Sequence, residues 1–253
     1  MDVTFATEPT PGRRNDDHVV ASDSYLVMLD GVTAPPGAGA GCRHDVPWFV
    51  HALAGLLVAG LSAGDGASLR AITAEAIETL RRRHARTCDL TGPDTPAATL
   101  AMLRAGDHGL DYLVLCDSSI VLERAAGGYQ AITDDRTARL NAYDRESVAR
   151  VRNAPGGFWV ASTDPAAAGE ALAGTVGPGQ VRRAAVLTDG AARLVEHFGR
   201  GWPEVFALAG EHGPRAVLAE VRRLEAGAPP AHPMRGKRFD DATFALCTAL
   251  GPA

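Results

Sequence analysis

Tyr25–Gly31 reads YLVMLDG, an apolar, strand-like run that stops abruptly at a carboxylate and a glycine. Ala184–Gly190 reads AAVLTDG and repeats the pattern far along the chain. Asp-Gly is a strong hairpin signal when a second strand follows directly. Neither copy meets that condition: Asp30-Gly31 runs into VTAPPG, and Asp189-Gly190 into AARLVEHF, whose spacing is helical. Capping of that helix is a competing structural use for Asp189. Two more acidic groups stand at similar boundaries, Asn15-Asp16-Asp17 before Val19-Val20 and Asp240-Asp241 before the closing run ATFALCTAL. Strand ends from distant parts of a chain can converge on one edge of a sheet, where gathered carboxylates repel unless cations neutralise them. Oxygen-only donors suit hard cations such as Mg²⁺ or Mn²⁺. A glycine beside a ligand lets the backbone carbonyl approach without a Cβ in the way. The pattern therefore predicts a carboxylate site for two divalent ions, whose natural chemistry is hydrolysis of a phosphate ester by a water activated between them.

The surrounding sequence predicts antiparallel sheets covered by helices. A helix starts near Asp45, which can cap it, with Pro47 in the first turn. Leu69, Ile72, Ala76, Ile77 and Leu80 recur at helical spacing over Leu69–His84. ATLAML, DYLVLCD, SIVLER and YQAIT then read as one antiparallel meander. Ala142–Val151 and PAAAGEAL read as helical, GFWVAS as a buried strand, AAVLT as a further strand and most of Ala191–Glu225 as helix. Strands grouped in this way argue against an alternating parallel fold. Ala226–Arg238 is the best candidate for a flexible loop.

The 253 residues are 46% hydrophobic and 22% charged, enough for one sizeable domain spanning 1–253. A net charge of -5 with scattered Lys and Arg leaves no basic footprint for nucleic acid. Cys42, Cys88, Cys116 and Cys247 lie far apart with no Cys-x-x-Cys pair, so neither a zinc ribbon nor a disulfide framework is expected, and no His or Cys cluster is expected to compete for zinc. The start of the chain lacks signal-peptide character, and Val46–Leu61 is short for a bilayer span and contains His51. These features predict a cytoplasmic protein with no membrane contact.

Seven segments, in order, resemble the motifs of the metal-dependent PP2C, or PPM, serine/threonine phosphatases. Asn15-Asp16-Asp17 is similar to the family's Asn-Glu-Asp, Asp30-Gly31 to its first Asp-Gly and TPAATLAML to its Gly-Thr-Thr strand. CDSSIVL resembles its Gly-Asp-Ser-Arg hairpin, and ITDD the segment after it. LTDGAARL resembles Ser-Asp-Gly and its helix, and DDATFAL the closing Asp-Asn-x-Thr strand. The resemblance implies an α+β fold, a four-layer α/β/β/α sandwich of two antiparallel sheets. It also implies two Mg²⁺ or Mn²⁺ ions. Asp30 would bridge them, the Gly31 carbonyl would bind one, Asp189 and Asp240 would complete the shell of the first ion, and Asp16 would reach the second ion through water. Asp117 matches a position that helps hold a third ion in bacterial members. Asp17 and Asp241 are expected to be solvated neighbours or supporting acceptors.

Three departures mark a divergent branch. Val32-Thr33 stands where the family has His-Gly or Met-Gly, leaving His44 and His232 as substitute proton donors. Gly12 occupies the position of the family's phosphate-binding arginine, so Arg13, or else Arg14, is expected to grip phosphate with paired N-H donors. Lys237 and Arg238 offer charge screening near Asp240. Cys116 and Ser119 replace the family's Gly and Arg, and a packed hairpin tolerates both changes. The resemblance implies a phosphoprotein substrate. A small phosphorylated metabolite and a catalytically silent regulatory module are the competing readings. LDGVT superficially resembles the opening of haloacid-dehalogenase-like phosphatases, but Met28 stands where their nucleophilic Asp is needed.

Overall fold

The computed structural model describes residues 1–32, 42–90, 92, 95–140, 144–227 and 237–250. The chain begins with β1 (Asp2–Glu8), β2 (His18–Ala21) and β3 (Tyr25–Gly31), then forms helices α1 (Val46–Ser62) and α2 (Leu69–His84). Two hairpins follow, β4 (Ala98–Gly106) with β5 (Gly109–Leu115), and β6 (Ser119–Arg124) with β7 (Tyr129–Thr133). Short helices α3 (Arg145–Val151) and α4 (Ala167–Glu170) lead to β8 (Leu172–Val176) and β9 (Val181–Leu187). Helices α5 (Asp189–Glu196), α6 (Trp202–His212) and α7 (Pro214–Gly227) precede β10 (Ala242–Thr248). Asp45 accepts from the Trp48 amide to cap α1, as its sequence predicts.

Two five-stranded antiparallel sheets, ordered β1-β10-β9-β6-β7 and β2-β3-β4-β5-β8, pack face to face with helices outside. Strand alternation assigns the layers. Leu26, Met28, Ala101 and Leu103 meet Ile120, Leu122, Val186 and Ala245 between the sheets. Val27, Leu29, Leu100 and Met102 face α1 and α2, while Leu187, Phe244 and Leu246 face α5, α6 and α7. This is the expected α/β/β/α sandwich.

Three expectations are corrected. The meander is two hairpins on different sheets, because the chain leaves β5 and crosses to the other sheet before β6. Cys116 makes that crossing with a φ of 71°, the left-handed region that glycine occupies without steric cost. Its position is therefore a crossover and not the interior of a hairpin. GFWVAS is buried but joins no strand ladder. It makes isolated bridges through Phe158 and Ala161, and the Asn153 side chain takes over the hydrogen bonds of Val160 on both sides. The edge strands β1 and β8 escaped the sequence reading because their side chains are mostly half-exposed or exposed, which dilutes the apolar signal. Among the described residues no helix is long and apolar enough to cross a membrane.

Candidate metal-binding active site

Strand phase carries the key carboxylate to its place. Asp30 shares a face with Leu26 and Met28, the face that meets the other sheet, and stands opposite Thr99 where β3 runs out. From the other sheet, β9 ends at Leu187, Thr188 takes the N-cap position of α5, and Asp189 opens its first turn. A carboxylate there is favoured by the positive end of the helix dipole. Asp240 precedes β10, and Asp117 sits in the crossover after β5. All four meet at one edge of the inter-sheet layer. Asp30 is opposed by the charges of Asp17, Asp189, Asp117 and Asp240, and its carboxyl shares a hydrogen bond with that of Asp189.

The glycines have a steric role that the sequence reading did not anticipate. A Cβ on Gly31 would lie 2.6 Å from the Asp16 carbonyl oxygen and collide with the Val46 side chain. A Cβ on Gly190 would overlap the Asp241 carbonyl oxygen. Each Asp-Gly thus lets another acidic segment press against its backbone, which draws the four segments together.

The neighbouring pair Asp16-Asp17 divides its work differently from expectation. Asp17 is the buried one. Its Oδ2 accepts from Thr243 at 2.7 Å and Thr188 at 3.0 Å, while its Oδ1 is buried with no partner among the described residues. Asp16 uses its backbone amide to donate to Asp241 Oδ2 at 2.6 Å, and Thr10 donates to Asp241 Oδ1 at the same distance. Asp241 is therefore a clip that holds the β1–β2 connection against β10.

Arg193, one helical turn after Asp189, was not singled out in the sequence. It is buried and donates to Glu225 at 2.7 Å, to the Arg238 carbonyl at 3.0 Å and to Asp240 Oδ2 at 3.1 Å, fixing Asp240 from behind. The i, i+4 spacing from Asp189 was the available signal. Lys237 pairs with Asp240 Oδ1 at 3.4 Å. Arg238 is occupied elsewhere, donating to the carbonyls of Glu225 and Ala226 at the end of α7. Arg14 forms an exposed ion pair with Asp45 at 3.0 Å, whereas Arg13 stands exposed in the β1–β2 connection. Thr137 donates to Asp117 at 3.1 Å. His44 is engaged by other groups: its ring stacks on Trp48 at 3.7 Å and its Nδ1 faces Cys88. His232 lies outside the described residues.

Asp30, Asp117 and Asp189 keep a partly exposed edge, yet the surrounding protein removes most of their hydration. Desolvation, then mutual repulsion, raises Asp30 well above the ordinary carboxylate range and Asp189 to about 7. Desolvation likewise lifts Asp17 to about 8, against the opposing hydrogen bonds from its two threonines. These oxygen donors fit hard divalent cations: one carboxyl oxygen of Asp17 has no partner among the described residues, and the charges of Asp17, Asp189, Asp117 and Asp240 bear on Asp30 where a cation would neutralise them.

A pH dependence follows for the metal-free protein. Carboxyls with raised folded-state values favour the folded state while protonated, so this stabilisation is complete below about pH 4 and is lost as pH rises through 7 to 8. A shift of about three units on one such group corresponds to about 4 kcal/mol. The expected result is a thermal midpoint that falls by roughly 10 °C between pH 5 and pH 8.5 in chelator and is restored at pH 8.5 by Mn²⁺. A flat midpoint across that window would show that the carboxyls are ionised without cost.

The family model for protein phosphatase 2C matches residues 11–221. This chain belongs to the protein phosphatase 2C family. No curated protein is matched by its sequence. Among solved structures, the PPM Ser-Thr phosphatase MsPP from Mycobacterium smegmatis, in complex with cacodylate, is similar with a TM-score of 0.61 and 17% identity, covering 98% of each chain. Serine/threonine phosphatase Stp1 from Staphylococcus aureus is similar with a TM-score of 0.65 and 13% identity, covering 99% of this chain and 95% of its own. The Mycobacterium tuberculosis serine/threonine phosphatase PstP/Ppp gives 0.59 and 15%, covering 98% and 97%. At these identities the likeness concerns the fold, and this protein phosphatase 2C relative carries its acidic motifs where the strands of its two sheets begin or end.

Proposed function

We propose that the protein is a Mg²⁺- or Mn²⁺-dependent phosphomonoesterase acting on phosphoserine or phosphothreonine in proteins. The observation that carries this reading is the convergence of Asp30, Asp189, Asp240, Asp17 and Asp117 at one edge of the sheet sandwich, with a buried Asp17 oxygen that has no partner among the described residues. Asp30 with the Gly31 carbonyl, Asp189 and Asp240 would hold the principal pair of ions, and Asp117 would contribute to a third. When bound, such ions generate a hydrolytic water and neutralise the charge of the phosphoryl group.

The protein's own groups shape the rest. Thr188 and Thr243 fix one oxygen of Asp17 and leave the other free, which favours Asp17 over Asp16 as the carboxylate reaching the second ion. Arg193 holds Asp240 in position. Arg13 is the better candidate for gripping phosphate, because Arg14 is tied to Asp45. With His44 engaged elsewhere, the departing oxygen of the substrate would take its proton from solvent or from His232.

The experiment is hydrolysis of p-nitrophenyl phosphate and of a phosphothreonine peptide after chelation and again with Mn²⁺ restored. Metal-restored turnover of both is expected, with the peptide competing effectively against small phosphate esters. No turnover on any of them, together with no Mn²⁺ binding by calorimetry, would refute the reading. Asp17→Asn is expected to cost about a hundredfold in turnover and Asp16→Asn less than about threefold. The reverse order would return the second-ion role to Asp16.

A further inference from the structure

A second cluster of metal-binding groups lies at the end of the first helical layer. Cys42-Arg43-His44 immediately precedes Asp45, the cap of α1, and His84 ends α2 with Cys88 one turn beyond. One donor atom from each of Cys42, His44, His84 and Cys88 lies within 4.8 Å of all the others. Cys42 Sγ is 2.9 Å from His84 Nε2, and Cys88 Sγ is 3.3 Å from His44 Nδ1. A tetrahedral zinc ion, with bonds of about 2.3 Å to sulfur and about 2.0 Å to nitrogen, sets donor separations of roughly 3.3 to 3.8 Å. The four donors need only small adjustments to meet those edges.

The surroundings resemble a prepared site. Each sulfur accepts a backbone amide, Cys88 from Arg43 at 3.4 Å and Cys42 from His44 at 3.4 Å, an arrangement that stabilises thiolates and orients them. The His44 ring is held flat against Trp48, and His84 is buried, with its ring edge-on to that of His44 at 5.0 Å between centroids. Two soft thiolates and two borderline imidazoles favour zinc over the hard cations suited to the acidic site. The sequence reading expected no such cluster because the two halves, Cys-x-His and His-x-x-x-Cys, are far apart in the chain; the packing of α1 against α2 joins them.

We propose that Cys42, His44, His84 and Cys88 form a structural zinc site, chemically distinct from the carboxylate centre. All four positions of a tetrahedron are filled by protein, so the ion has no open coordination for catalysis. Its effect is to staple the start of α1 to the end of α2. Val46, in the first turn of α1, packs on Gly31 beside Asp30, so the staple supports one wall of the acidic site.

The test uses the full chain purified under reducing conditions, dialysed against Zn²⁺ and then against excess Mg²⁺, with zinc measured by elemental analysis. About one zinc per chain is expected to remain. Asp30→Asn should retain it, whereas Cys42→Ser combined with Cys88→Ser should lose it while still binding Mn²⁺ by calorimetry. Because the double variant can fail to fold, wild-type protein reconstituted with Co²⁺ supplies an independent readout, the thiolate-to-cobalt charge-transfer absorption of a tetrahedral two-sulfur site. Less than about a tenth of a zinc per reduced chain, or zinc lost with Asp30→Asn and kept without the cysteines, would overturn the proposal. So would peptide mapping that finds Cys42 joined to Cys88 as a disulfide in protein that takes up no zinc after reduction, which would assign the pair to redox chemistry.

Discussion

Asp30→Asn is expected to reduce metal-dependent turnover about a thousandfold and, in chelator at pH 8.5, to raise the thermal midpoint instead of lowering it. Both effects have one cause. Asp30 is the carboxyl with four like-charged neighbours, so it is the group most needed by a cation and the least comfortable without one. An amide nearly preserves its shape while removing the charge, which would remove the proposed bridge between ions and would relieve the repulsion in the metal-free fold. A structural role alone predicts the opposite sign for stability. Turnover with Mn²⁺ and thermal melts in chelator, run side by side, separate the two. Turnover within tenfold of wild type would remove Asp30 from the centre of the site.

Gly190→Ala is expected to cost about 3 kcal/mol or more and to remove most of the activity, although the substitution adds one methyl group and changes no charge. Its Cβ would occupy the space of the Asp241 carbonyl oxygen, a backbone atom held from both directions. Asp241 accepts two backbone amides through its side chain, and Thr243 pairs with Thr188 and Asp17 just beyond it. Relief therefore requires moving α5 away from β10, and that separates Asp189 from Asp240. Denaturant unfolding should show a lowered midpoint, and Mn²⁺ titration a weakened affinity. By contrast, Gly55→Ala falls inside α1 where an added Cβ meets nothing, and it should leave the Mn²⁺ affinity unchanged and raise the unfolding midpoint, through about 0.5–1 kcal/mol of helix propensity.

Much of the fold was legible because the relevant signals are local. The run YLVMLDG is a short continuous apolar stretch, the mark of a strand buried on both faces, and α1 and α2 announce themselves by a cap and a helical period. The acidic site was legible in part for the same reason: Asp30, Asp189 and Asp240 each stand where a strand ends or begins. Asp16 and Asp17 could not be ranked from spacing. Which of two adjacent carboxyls turns inward depends on Thr188 and Thr243, the latter 226 residues away.

What the sequence by itself determined, then, is the helices, the central strands and the strand-end carboxylates, since each rests on side chains within a turn or a few pleats of one another, while the two-sheet class came from the order of its motifs, which resembles that of a known family. Tertiary structure alone decided how the hairpins divide between the sheets, which acid of the pair is buried, how Arg193 braces Asp240, and that four cysteines and histidines from the ends of two helices meet. Those outcomes depend on packing between segments distant in the chain, and the excluded volume at Gly31 and Gly190 settles how closely the segments approach.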